Sequence, residues 1–446
     1  MVGTAAVKII RLGTPLLVGQ LSHYLHQIAD SAMLGHYGHQ SLELAAIGIA
    51  GLLTWILLTF LWPLSTGVQA LASRRFGRGD GDTGAVLDNG LVVAGAAGLL
   101  ALGVSFLAPP ALRHLVDSRS VYRLIMEYLR VIRFSLLPMG FFLVCQGFFG
   151  AINRTRQVMY AGVISNVLNI ALNWVLIFGR LGLPAMGIRG AALGTAISTL
   201  GGALYLLFVL LREYRHTYRL FSFRRLSRTL QGDILRVAIP PGVQNVAALS
   251  IFLVFQTLVE SYGTVYLAAT HAVFSYMRLN KTIIGGFARS AAILTGNALG
   301  RGDSAEARDV MKSATRVGLA IAVAVLLLTL AGRGAIATLF SNDDATREVI
   351  VVALLFFAPF FFVEALGYVR EMVLIPNGYG RYVLASEFST NVLFILGATL
   401  VARHVAPQEV RWAWLSFGMY QLVHALLMIT GAARDRWMTV RIESTG

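Results

Sequence analysis

Gln20, His23, Gln27 and Asp30 are spaced three, four and three residues apart inside one apolar stretch, which puts all four on one face of a helix. A carboxylate buried about eighteen residues into such a helix is costly when ionised, so a membrane helix that carries one turns it toward a cavity or a partner. Asp30 is the acidic residue set deepest in the first six apolar stretches. An acid so placed can take up and release a proton or hold a small cation. The stripe can also simply join helices, although amides and imidazoles would do that without an acid.

A second polar set lies further on. Asn166, Asn169 and Asn173 recur on one helical face, and Thr195 falls early in the following stretch. Their amides and hydroxyl can hydrogen-bond Asp30, supply oxygen ligands to a cation such as sodium, or bind one helix to the next. His23, His26 and Asp30 would also suit acid–base catalysis. No nucleophile motif, metal-ligand set or phosphate loop accompanies them, so a membrane enzyme is set aside, and no cofactor or resident metal is expected.

The elements that must position these residues follow from composition. The chain has 446 residues, 56% hydrophobic and 13% charged, with a mean hydropathy of +0.68. That is too little polar surface to coat a soluble globule of this size. Twelve apolar runs, each near the roughly 20 residues that cross a bilayer, lie at about 12–34, 44–73, 84–108, 121–149, 156–179, 187–211, 232–259, 265–297, 306–331, 346–374, 382–403 and 410–432. The expected fold is an all-α polytopic membrane protein, and runs of this length exclude an alternating outer-membrane barrel. The first run lacks a clean apolar core and a small-residue cleavage site, so it reads as a retained helix. Cys145 is the single cysteine, which leaves no disulfide framework.

The chain is also duplicated. Leu44-Ala45-Ala46 and Gly77-Arg78-Gly79-Asp80 recur as Leu267-Ala268-Ala269 and Gly300-Arg301-Gly302-Asp303, both 223 residues on. Pro15 and Gly38 have the same spacing as Pro240 and Gly263. Six spans before the midpoint return the chain to its starting side, so the repeat is parallel. The implied organisation is an N-terminal lobe at 1–211, a basic linker at 212–231 and a C-terminal lobe at 232–446.

A net charge of +15 does not indicate nucleic acid, because the basic residues fall in alternate loops. Arg74, Arg75 and Arg78, then Arg154 and Arg156, then Arg301, Arg308 and Lys312, then Arg434, Arg436 and Arg441 share one side, which puts both termini in the cytoplasm. The Arg-Gly-Asp copies fall on that same side, where an adhesion motif has no use. The linker carries Arg212, Arg215, Arg219, Arg224, Arg225 and Arg228. It reads as a cytoplasmic connection, or as an amphipathic helix on anionic lipid.

Pro15, the ADSAMLGHYG run at 29–38, LAA at 44–46, the run from Gln146 to Gly179, and GAALGTA at 190–196 resemble the multidrug and toxic compound extrusion (MATE) family, near its DinF-like branch. The resemblance spans nearly the whole chain. It implies twelve helices in two pseudo-symmetric six-helix lobes around a central cavity. It also implies export of varied organic, often cationic compounds in exchange for protons or sodium. By the same resemblance Asp30 binds the coupling ion, Pro15 bends the first helix, and Asn169 and Thr195 are polar partners. Asn173 departs from the pattern, since many relatives carry a second carboxylate there. An amide removes one negative charge and disfavours bare sodium more than a proton, so proton coupling is expected, with sodium at Asp30, Asn169, Asn173 and Thr195 as the alternative. The NorM-like branch uses a glutamate in the seventh helix, where this chain has Ala248.

The second half has its own charges within apolar runs: Arg278, Lys281, Glu364, Arg370, Glu371 and Glu387. Such groups should pair with one another or line a cavity for anionic compounds. Gln20, His23, Tyr24, Gln27, Met33, Arg278 and Lys281 are the candidate substrate-cavity residues, and Phe148, Tyr276 and Met277 are further adaptable apolar ones. Trp412, Trp414 and Trp437 read as interfacial anchors. The expectation is a monomeric inner-membrane exporter of small organic molecules, with membrane lipid its only other partner. A lipid-linked oligosaccharide flippase of the same superfamily is the runner-up.

Overall fold

The computed structural model describes residues 2–37, 40–116 and 118–444, so Gly38 of the repeated spacing lies outside it. Helices dominate, and no strand occurs among the described residues. Twelve long helical segments follow one another: α1 (Val2–Gly35), α2 (Gln40–Leu58 continued by Trp62–Arg78), α3 (Thr83–Ser105), α4 (Arg119–Ile132 continued by Leu136–Ala151), α5 (Thr155–Phe178) and α6 (Gly187–Val209). The second series is α7 (Arg228–Glu260), α8 (Thr264–Gly300), α9 (Ser304–Phe340), α10 (Asp344–Phe357 continued by Phe360–Leu374), α11 (Gly380–Thr390 continued to Thr399–Val405) and α12 (Val410–Ala433). Most ends lie within a few residues of the apolar runs. The exceptions are α1, which begins at Val2, and α9, which runs on to Phe340, because a helix need not stop where its hydrocarbon-facing stretch stops.

Nine stretches among the described residues are long and apolar enough to cross a membrane, one of them, Phe360–Val405, joining parts of α10 and α11. Neither α1 nor α8 is among them. Those two carry the His23–Asp30 stripe and the Arg278–Lys281 group, so the helices that fall short in apolarity are the ones expected to do chemistry. The duplication is conformational as well as sequential. Gly79 and Gly302 both adopt left-handed backbone, with φ of 72° and 77°, and end their helices at the equivalent place.

The chain forms two compact units. One comprises Val18–Gly242 with the tail from Ile442; the other comprises Val243–Arg441 with the chain up to Leu17. The division does not coincide with a cut at the 212–231 linker, because the opening segments of α1 and α7 each belong to the other repeat's unit. The physical cause is proline. Pro15 lies inside α1, and Pro240 and Pro241 inside α7, each deleting a backbone hydrogen bond where the helix passes from one unit to the other.

Within the Val243–Arg441 unit the core is aromatic. Phe274 and Phe417 rings lie 4.5 Å apart, with Phe255, Phe357 and Trp414 packed around them. Trp414 and Trp437 are 1% exposed, their indole N–H groups donating to Thr270 Oγ1 at 2.8 Å and to the Ala432 carbonyl at 3.0 Å. They are core residues, not interfacial anchors, and of the three only Trp412 is exposed, at 50%. Met277 is likewise buried in this core, and Phe148 in the other unit, which removes both from an adaptable drug surface.

Within the Val18–Gly242 unit the linker forms no amphipathic helix. Between the helical ends at Tyr214 and Arg228 it consists of turns and a short 3-10 segment, Phe223–Arg225, fastened to the start of α3. The Asp88 carboxylate accepts the backbone N–H of Phe221 at 2.8 Å and of Ser222 at 3.0 Å. The Asn89 amide donates to the Arg225 carbonyl and accepts from the Ser227 N–H. The tail docks on the same unit: Glu443 accepts from Arg75 and Arg78 at 3.1 Å, and Asp233 accepts from the Ser444 N–H and hydroxyl.

Candidate ion-coupling site

Asp30 sits near the end of α1 and faces the crossing of α5 and α6. A close approach of those two helices makes the arrangement possible. Gly190 and Gly194 of α6 press against α5, and a Cβ at Gly194 would stand 2.0 Å from Asn173 Oδ1. Asn169 and Asn173 are fully buried beneath that contact.

A chain of donors leads to the carboxylate. Asn173 Nδ2 donates to Asp30 Oδ1 at 2.6 Å and to Asn169 Oδ1 at 3.1 Å, and Asn169 Nδ2 donates to Thr195 Oγ1 at 3.1 Å. The structure therefore brings Asp30, Asn169, Asn173 and Thr195 into one continuous network. Asn166 stands apart from it, donating to Ser22 of α1 at 2.7 Å, a plain interhelical bond. His26 Nε2 lies 3.4 Å from Asp30 Oδ2, and its ring stacks on His23 at 5.5 Å. His26 entered the sequence reading only as part of a set-aside enzyme site, although its spacing of four residues from Asp30 was visible.

The remaining cavity candidates separate. Gln20 is partly buried on α1, whereas Met33 packs against a hydrophobic core that contains Leu34, Ala46 and Ile177. The side chains of Tyr24 and Gln27 lie outside the described residues. Arg278 and Lys281 belong to the other unit.

In that other unit the predicted ionic residues do not pair as expected. Arg278 is exposed, and Arg370 donates to the Leu366 carbonyl at 2.6 Å; neither meets a carboxylate among the described residues. Glu371 and Glu387 instead converge on His424 of α12, whose Nδ1 is 3.0 Å from Glu387 Oε2 and whose Nε2 is 3.6 Å from Glu371 Oε2. Glu387 also accepts from Tyr420 at 2.7 Å, Glu371 from Gln244 at 2.7 Å, and Glu364 from Asn280 at 2.9 Å. Lys281 lies over the Tyr368 ring at 4.6 Å, in the field of Glu371, Glu364 and Glu387. Sequence reasoning missed His424. The signal was there: Gln421 and His424 form a polar step within the last apolar run, as Gln20 and His23 do within the first. One turn before Ala248, Gln244 supplies the polar group that α7 contributes.

Comparison with known proteins completes the picture. The MatE family model matches residues 15–175 and again 240–400, one match in each repeat. A probable multidrug resistance protein NorM of Agrobacterium fabrum is 32% identical over 295 residues, covering 66% of this chain and 63% of that protein. A second, from Bradyrhizobium diazoefficiens, is 26% identical over 439 residues, covering 95% of this chain and 92% of the relative. A solved structure described as the outward-facing conformation of a multidrug resistance MATE family transporter of the MOP superfamily superposes with a TM-score of 0.88 at 22% identity. It covers 98% of this chain and 97% of that one, so it establishes the fold. The first-mentioned alignment spans 63% of its relative's length, whereas the family model matches both repeats along most of this sequence. With a duplicated twelve-helix fold and a family match in each half, the chain belongs to the MatE family.

Proposed function

We propose that this protein is a secondary active multidrug exporter that expels organic compounds in exchange for protons, with Asp30 carrying the coupling proton. The observation that carries the reading is the Asn173–Asp30 hydrogen bond at 2.6 Å, at the head of the Asn169–Thr195 network. The amide presents a donor to the carboxylate, where a sodium ion would require an oxygen. A proton needs no ligand cage. It needs one oxygen of Asp30 free to accept it, and Oδ2 faces the His26 imidazole, a group able to relay a proton.

Coupling requires that protonation favour one conformation, since equal affinity for both would shift nothing. Neutralising Asp30 weakens the hydrogen bond from Asn173, because a charged acceptor holds an amide more tightly than a neutral one, and so loosens the end of α1 against α5. Pro15 is the hinge about which α1 rearranges, and it lies two residues before the place where this helix passes between units. Export then proceeds by alternating access in the inner membrane, with both termini cytoplasmic. The relatives named above support the multidrug reading through their own names.

Reconstitution in proteoliposomes tests this. Under an imposed proton gradient and across a panel of cationic and anionic dyes, the wild type accumulates or expels dye, and Asp30→Asn falls to the passive leak while still inserting. Undiminished gradient-driven transport by that variant would exclude the mechanism. Transport driven by sodium alone would replace the proton with sodium at the same site.

A further inference from the structure

The segment between α6 and α7, expected as a cytoplasmic connection or as an amphipathic helix on anionic lipid, is a backbone strap tied to its own unit. The Tyr218 carbonyl lies so close to Gly84 that an added Cβ would be 2.0 Å away. Arg219 and Phe221 adopt left-handed backbone, with φ of 50° and 62°, a conformation that costs non-glycine residues energy and persists only where the surroundings enforce it. Asp88 and Asn89 supply that enforcement through the backbone bonds described above. Backbone anchoring leaves the side chains free. Arg212, Arg215, Arg219, Arg224 and Arg228 are exposed, and among the described residues none of the five forms an ion pair. Arg225 shows the contrast, since it alone of the six is neutralised, by Asp82 at 3.0 Å.

Hydrocarbon borders this charge. Leu204, Phe208 and Leu211 on the way out of α6 are 53%, 56% and 43% exposed, and the Arg212 guanidinium sits over the Phe208 ring at 5.8 Å. Both ends of the strap continue into membrane-crossing helices, so the strap lies at the membrane boundary. Guanidinium groups carried on a fixed backbone beside exposed apolar helix surface match a phosphodiester with acyl chains attached, and match a nucleic acid or an acidic protein less well.

We propose that the strap at residues 212–228 is a preformed binding site for anionic phospholipid headgroups of the leaflet it borders. The inference rests on membrane placement and the strap's geometry, not on the export reading. Each basic side chain near an anionic surface strengthens binding by about fivefold.

Native mass spectrometry of the purified full-length protein titrated with phosphatidylglycerol and with phosphatidylcholine tests it. Arg215→Gln/Arg219→Gln/Arg224→Gln, which alters only exposed side chains, should weaken phosphatidylglycerol retention about a hundredfold and leave phosphatidylcholine unchanged. Asp88→Asn, which keeps every arginine but loosens the strap, should also weaken retention. Equal retention by the triple variant overturns the proposal. Unchanged retention by Asp88→Asn overturns the preformed site in favour of bulk charge. Displacement of the lipid by millimolar inorganic phosphate, or by an acidic peptide, would assign the arginines to a free anion or a protein instead.

Discussion

The two units hold their membrane-embedded acids in opposite ways. In the Val18–Gly242 unit Asp30 is a solitary carboxylate whose direct partners are an asparagine amide and one imidazole. In the Val243–Arg441 unit Glu371 and Glu387 share His424, and Glu364 stands with them in the field of Lys281. A proton reaching Asp30 neutralises the one carboxylate of this network, whose titratable partner is His26. On the proposed reading the difference separates a switch from a structural cluster: the solitary acid would convert occupancy into conformation, whereas the cluster ties together helices of its own unit.

Neutralisation is the sharpest way to break this comparison. Asp30→Asn should remove export entirely, as argued above, yet leave stability nearly unchanged, because its amide oxygen can still accept from Asn173. Thermal unfolding in detergent should place that variant within a few degrees of wild type. His424→Ala should do the reverse in kind. Removing the common partner of two buried glutamates costs about 3–5 kcal/mol. The transition should fall steeply, with export declining only as far as folded protein is lost. If His424→Ala kept its stability and lost export, the cluster would be the switch and the comparison would invert.

Gly194→Ala is the next largest effect. Its methyl would meet Asn173 Oδ1, so the amide must turn away from Asp30 or α6 must shift. Overpacking of this kind costs about 1–3 kcal/mol. Export should fall several-fold, and a proton-gradient titration should show the loss even when the protein is fully folded. Wild-type export in this variant would mean that the Asn173 contact does not set the behaviour of Asp30.

Much of this contrast was legible before any coordinates. The Gln20–Asp30 stripe and the Asn169–Asn173 pair each carry helical periodicity, and two periodic polar faces in an otherwise apolar chain have few places to go except toward one another. The glutamate group was legible only as an oddity. Its members come from α7, α8, α10, α11 and α12, and nothing local says that Glu371 and Glu387 turn to His424 in preference to Arg278 or Arg370. The crossing of α1 and α7 between units was signalled by Pro15 and Pro240, whose equal spacing to Gly38 and Gly263 marks them as equivalents; which unit each helix end joins is decided by packing. At Gly13 and Gly286 that packing is tight, since a Cβ on the first would be 2.7 Å from Phe287 and on the second 2.9 Å from Leu17. The docked linker was invisible because Asp88 and Asn89 look like ordinary polar residues near a helix start.

The smallest expected effect is the most informative about the ion. Asn173→Asp replaces the donor at 2.6 Å from Asp30 with a second carboxylate, placing two acids where one now stands. Like charges this close cannot both remain bare, so the pair must share a proton or bind a cation between them. On the proton-coupled reading, sodium dependence of export should rise several-fold in the variant relative to wild type, while proton-driven export persists at reduced rate. Adding Thr195→Ala should then lower the new sodium response, because that hydroxyl closes the oxygen set through Asn169. A variant whose response to imposed sodium gradients matched wild type would show that α5 does not border the ion. The solitary character of Asp30 would then have to be explained by His26 alone.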